Sequence, residues 1–219
     1  GQDAVILRSQ KRIAHYDNYC FTADRPYLIY DTMVVHGDVE ILPSARLYFH
    51  LGASLYVAGN MKAQGTLAEP ILLRGDRLDN LFDSVPYLYA AGQWDGVYLL
   101  PDRSLDSVCY DLNYVDVLGG NIGLYCRNDQ ASRLPYLNLH NSRIHNHALY
   151  GLVLQNTNAE VVNTEISNCA SYCVYLAGGT HHFVHSTVSS YFNVTNIRIQ
   201  SASREDVAAV YINNLDKSS

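Results

Sequence analysis

Apolar and polar residues alternate over short stretches of three to five positions along most of this chain, and Gly, Asn, Ser or His ends each stretch. A period of two is the signature of a strand with one buried side. Runs of ten or more residues at helical period are missing, which excludes helical repeats. The LxxLxLxxN pattern of a leucine-rich horseshoe is missing too. The pattern therefore predicts an all-β chain of many short strands.

The strands recur. HNSRIHN at 140–146 is restated 22 residues later as VNTEISN at 162–168, so that Ser142, Ile144 and Asn146 fall on Thr164, Ile166 and Asn168, and then on Ser186, Val188 and Ser190. Leu152 and Leu154 fall on Val174 and Leu176, and at a step of 23 on Ile197 and Ile199. Backward, at a step of 28, they fall on Leu124 and Cys126, the six extra residues being supplied by RNDQAS at 127–132. Nearer the N-terminus, VHGDVEILP at 35–43 meets VAGNMKAQG at 57–65, pairing Val35 with Val57, Val39 with Met61 and Ile41 with Ala63.

Three short strands per unit of roughly 22 residues describe a right-handed parallel β-helix, here of about seven or eight turns. Each turn of such a coil lies about 4.8 Å above the last, so equivalent residues stack and like must meet like. Ile144, Ile166 and Val188 are expected to form one inward column, and Leu124, Leu152, Val174 and Ile197 another. Asn146 and Asn168 are expected to stack at a bend, where amides can satisfy backbone that has lost its ladder partner.

These stacked units over 34–199, together with the opening VEILPSARLYF, LYVAGNMKAQG and EPILLRGD and with GQWDGVYL at 92–99, resemble the right-handed parallel β-helix superfamily of pectate-lyase-like fold. Within it the chain is similar to envelope-associated bacterial proteins without an assigned role. The resemblance implies an extracytoplasmic location, secreted, periplasmic or anchored at the cell surface, and a glycan partner. Residues 1–33 are expected to cap the open N-terminal end of the core, and 34–219 to form the helix with its longest insertion at 74–93. VAAVYINNLDKSS at the C-terminal end shows no cap, so a partner or a further domain is expected there.

Composition narrows the function. Fifteen Lys and Arg against 21 Asp and Glu give a net charge of −6, and no segment is strongly basic, so nucleic acid is not an expected partner. No apolar run reaches 18 residues, so no transmembrane segment is expected, and no apolar stretch near residue 1 resembles a signal peptide. Five cysteines without a CxxC pair indicate neither a disulfide framework nor a zinc site. Cys126, in the Leu154 column, reads as a buried small hydrophobe, whereas Cys169 and Cys173 flank a bend.

Hydrolases of this fold need two carboxyls about 5–10 Å apart. The chain has no adjacent Asp pair, His181 and His182 lack a GHG setting, and NIRIQ at 196–200 matches RIK only faintly. A lyase needs Ca2+ held by several acids and an Arg or Lys base. Asp76, Asp79 and Asp83 with Arg74 and Arg77 could supply these, or could simply pair with one another on the surface. No other cofactor is expected. His145 with His147 could share a strand face as metal ligands, but the 22-residue step puts Ser167 and Cys169 over them, and sets His185 in a turn column with Asn163 and Asn141. RGD at 74–76 and Asn193-Val-Thr195 match short adhesion and glycosylation motifs that arise by chance.

The expected activity is glycan binding without catalysis. The alternatives are a polysaccharide lyase acting on uronate glycans and a structural or adhesive repeat domain. A flat coil needs a wall to make a site, and 74–93 supplies the longest one. The expected groove is bordered by Asp76, Arg77, Asp79, Asp83, Tyr87, Tyr89 and Trp94, with rings stacking on sugar faces. Trp94 has a competing place, buried as a plug between Gly92 and Gly96. Among 18 tyrosines, Tyr150 falls on Tyr172, and Tyr125 on Val153 and Tyr175, so some are expected to stack as outer columns that steady the coil or meet a glycan.

Overall fold

The computed structural model describes residues 3–130, 133–190 and 208–213. Successive strands visit three faces in turn and come back one rung higher, building parallel sheets of eight, eight and seven strands. Face one runs through Val5–Leu7, Tyr27–Ile29, Arg46–Phe49, Ile71–Gly75, Val115–Leu118, Arg143–His147, Glu165–Cys169 and Thr187–Ser189. Face two runs through Ile13–Tyr16, Thr32–Val35, Ser54–Val57, Gly96–Leu99, Ile122–Arg127, Tyr150–Gln155, Tyr172–Ala177 and Ala208–Asn213. Face three runs through Tyr19–Phe21, Val39–Ile41, Met61–Gln64, Cys109–Asn113, Tyr136–His140, Asn158–Val162 and His181–Val184. This is a right-handed parallel β-helix.

The register follows the sequence repeat. Ile144 lies opposite Ile166 and Ile166 opposite Val188. Leu124, Leu152 and Val174 make the second column, across the 28-residue step and then the 22-residue one. Ile144, Ile166, Leu124 and Leu152 are fully buried, in a core of Val, Leu, Ile and Phe that runs the length of the coil. Ile197 and Ile199 lie outside the described residues; the places above Val174 and Leu176 belong to Val210 and Ile212. Asn193-Val-Thr195 also lies outside them.

The bends are left-handed. Tyr114, Asn141, Asn163 and His185 all have φ near +50° at the corner from face three to face one, and Asn163 donates its amide to Asn141 Oδ1 at 2.8 Å. Gly119, Asn146 and Asn168 are also left-handed, at φ +76°, +60° and +54°, where the chain passes from face one to face two. Asn tolerates this conformation because its short polar side chain bonds locally. Hydroxyls close the neighbouring gaps: Ser142 Oγ accepts the Val115 N–H, and Thr164 Oγ1 the Ser142 N–H.

Within the stretch 1–33 expected to cap the core, the described strands pair into the coil itself. Val5–Leu7 pairs with Tyr27–Ile29, Ile13–Tyr16 with Thr32–Val35, and Tyr19–Phe21 with Val39–Ile41, so among the described residues the helix begins at Val5 and 5–33 is its first turn and part of its second. The insertion leaves face one after Gly75 and regains face two at Gly96. Between them it forms a hairpin, Asn80–Phe82 against Val85–Pro86, and one turn of 3-10 helix, Tyr87–Tyr89. Gln93 anchors it by donating to the carbonyls of Tyr87 and Ala90, each at 2.7 Å.

Candidate functional site

The insertion gathers some of the expected groove and disperses the rest. Arg77 grips Asp79 with two bonds, Nε to Oδ1 at 2.8 Å and Nη2 to Oδ2 at 2.6 Å, and its guanidinium lies 4.1 Å from the centre of the Tyr87 ring. The Arg77 hydrogen bond holds the Asp79 carboxyl below its ordinary range. Arg74 donates to the carbonyls of Gly75 and Arg77. Asp76 meets His50 Nδ1 at 2.7 Å. Asp83 turns the hairpin at φ +39°, its carbonyl accepting from Asn80. Tyr89 is 64% exposed.

Trp94, expected on the groove, is fully buried. Its indole stacks on Phe49 with centroids 4.2 Å apart, and its N–H donates to the Leu118 carbonyl at 2.9 Å. It is the plug that the flanking glycines allowed, at φ +76° for Gly92 and +142° for Gly96, and it has no face to offer a sugar. Of the charges of the insertion, Arg77 and Asp79 meet one another, and Asp76 is taken by His50. RGD is likewise internal: Arg74 and Gly75 belong to a strand rather than a loop tip.

Face two presents a different surface. Its outward positions align Tyr56, Tyr98, Tyr125, Val153, Tyr175 and Tyr211 rung by rung. Tyr56 and Tyr98 stack at 4.5 Å and 6°, Tyr98 and Tyr125 meet tilted at 5.6 Å, and Tyr175 and Tyr211 stack at 5.3 Å. A second column beside it pairs Tyr150 with Tyr172, whose ring also meets Tyr175 and Tyr211. Every one of these rings is partly exposed.

Polar groups border the stripe. Tyr125 Oη donates to Gln155 Oε1 at 3.0 Å, Asn213 Nδ2 to Tyr175 Oη at 3.4 Å, and Asn121 Nδ2 to Asp95 Oδ1 at 2.9 Å. Burial, and then Tyr56 and Asp95, push the Tyr98 hydroxyl up to about 12, so it remains a donor at neutral pH. Sequence reasoning found the Tyr150 and Tyr175 rungs. It missed the run from Tyr56 through Tyr98 to Tyr125, because the insertion breaks the step there.

Face one carries a charge ladder. Arg143 lies between Asp116, 3.7 Å from Nη1, and Glu165, 3.3 Å from Nε. His145 meets Asp116 at 2.8 Å, and the Ser167 hydroxyl, with Arg143 behind it, holds the Glu165 carboxyl low. His147 is buried beneath Cys169. Among the described residues no three of His, Cys, Asp and Glu are grouped to hold a metal ion. Cys126, Cys169 and Cys173 are buried and free. Among the described residues no helix is long and apolar enough to cross a membrane. No family model, no curated protein and no solved structure matches the chain.

Proposed function

We propose that this chain is an extracytoplasmic β-helix protein, of the pectate-lyase-like superfamily it resembles, that binds a neutral glycan along the tyrosine stripe of face two and catalyses no reaction on it. The stripe itself carries the reading. Five steps of about 4.8 Å make it roughly 24 Å long, with buried Val153 separating the three rings Tyr56, Tyr98 and Tyr125 from Tyr175 and Tyr211. Where neighbouring rings tilt, as at Tyr98 and Tyr125 with 49° between planes, part of a ring face stays open to the C–H side of a sugar. Phenol hydroxyls, Gln155 and Asn213 border the stripe as hydrogen-bond partners for the sugar's hydroxyls. Arg103 and Arg127, the two cations beside Tyr125, share the Asp129 carboxylate, so their charge is partly met within the chain.

A uronate lyase is the second reading, favoured by Arg143 standing half-exposed between two carboxylates on face one. Titration with neutral glucans, mannans and xylans, and with polygalacturonate with and without Ca2+, separates the two. The first reading expects binding of a neutral polymer that Tyr98→Ala and Tyr175→Ala each weaken about tenfold, the loss of one stacked ring, while Arg77→Ala leaves it unchanged. Equal binding by both tyrosine variants, or release of unsaturated product from polygalacturonate, overturns it. Absence of any glycan binding leaves the structural or adhesive domain.

A further inference from the structure

The first two turns bring together two imidazoles that neither the core nor the stripe uses. His15 belongs to the strand Ile13–Tyr16, and His36 follows the strand Thr32–Val35. The His36 backbone N–H donates to the Tyr16 carbonyl, which fixes the two side chains one rung apart. Both are exposed, yet they stand ordered against each other. The rings are 7° from parallel, and His15 Nδ1 lies 3.0 Å from His36 Nε2. Among the described residues neither forms an ion pair with a carboxylate.

We propose that His15 and His36 together bind one divalent transition-metal ion of the Zn2+, Cu2+ or Ni2+ class. Imidazole nitrogen suits these ions, whereas Ca2+ and Mg2+ prefer oxygen. At metal–nitrogen distances of about 2.0–2.1 Å, two ligands lie roughly 2.9 Å apart at a right angle and roughly 3.4 Å apart in a tetrahedron. The 3.0 Å separation is within that span, so chelation needs ring rotation but no backbone movement. One facing nitrogen now carries the hydrogen. On binding, that ring moves its proton to its far nitrogen, both facing lone pairs become ligands, and no proton is lost. Water completes the shell, since no third His, Cys, Asp or Glu among the described residues joins the pair. Asp102 is near enough for His36 to help lower its carboxyl, and adds negative charge on that side.

The test uses the untagged full chain at neutral pH, titrated calorimetrically with ZnCl2 and CuCl2, and compares wild type with His15→Gln, His36→Gln and the exposed control His182→Gln. Exposure of all three sites keeps the variants folded, which their melting curves verify. One saturable ion per chain is expected in wild type and control. Each variant of the pair loses it, and the Cu2+ spin-resonance spectrum shows two imidazole nitrogens in wild type only. Saturable binding that survives both substitutions, or none in wild type, overturns the proposal.

Discussion

Two buried side chains set what single residues contribute. Trp94 fills the core at the end of the insertion, on Phe49 and beneath the Leu118 carbonyl. Trp94→Ala is expected to cost about 3–5 kcal/mol through the cavity, and Trp94→Phe about 1–3 kcal/mol through the unpaired carbonyl, both read from denaturant midpoints. As the chain's one tryptophan, Trp94 should also keep its buried emission unchanged when a glycan binds. His147 donates through Nε2 to the Val117 carbonyl, leaving Nδ1 without a partner among the described residues. Burial, the largest cause, depresses its pKa from 6.5 to about 3. The unfolded chain therefore takes up this proton well before the folded chain does. The His147 contribution is complete above pH 6.5 and declines as the pH falls from there toward 3. Between pH 6.5 and 5, wild type should lose about 2 kcal/mol more than His147→Gln, a difference that urea unfolding at the two pH values measures.

The elements show what a sequence can disclose of a coil and what it cannot. Where turns keep one length, the columns are legible: Ile144 with Ile166, Asn141 with Asn163, and Leu152 with Val174 all follow the fixed step. Between Val57 and Cys126 that step fails, because Val57 pairs with Leu99 across the insertion and Leu99 with Cys126 across another irregular turn. The Tyr56–Tyr98–Tyr125 column was hidden for that reason. Acids and aromatics crowded into 74–93 looked like a site, yet side chains so close in sequence also satisfy each other, as Arg77, Asp79 and Tyr87 do. The first turn was illegible for a different cause. Its outer residues, such as Ile6 and Ile13, break the polar alternation. The bend columns yield a sharp expectation. Asn168 holds φ +54°, where a β-branched residue is strained, so Asn168→Val should destabilise by about 1–3 kcal/mol while Asn168→Gly stays close to wild type in thermal melts.

As a whole, the molecule is a column in which each turn touches only its neighbours, so its stability is a sum over turns and their interfaces. Interior turns have a neighbour on both sides: Leu73, Val117 and Ile144 are at most 1% exposed. Among the described residues Val5–Leu7 pairs only with Tyr27–Ile29 and Ala208–Asn213 only with Tyr172–Ala177, and Ile212, stacked on buried Leu176, is 70% exposed. Opening should therefore start at the ends and cost progressively more toward the middle. Amide hydrogen exchange followed by mass spectrometry is expected to show the amides of Val5–Leu7 and Ala208–Asn213 exchanging first, and those of Ile71–Gly75, Val115–Leu118 and Arg143–His147 last. A charge in the seventh of the eight rungs of face one should break the stack there and spread into the turns on either side. Ile166→Asp places a carboxylate between Ile144 and Val188 with no partner, and the expected result is loss of the interior protection on both sides of residue 166 rather than a local gap. Exchange that quickens only within Glu165–Cys169 would show the turns to be independent, and would overturn the cooperative account of the coil.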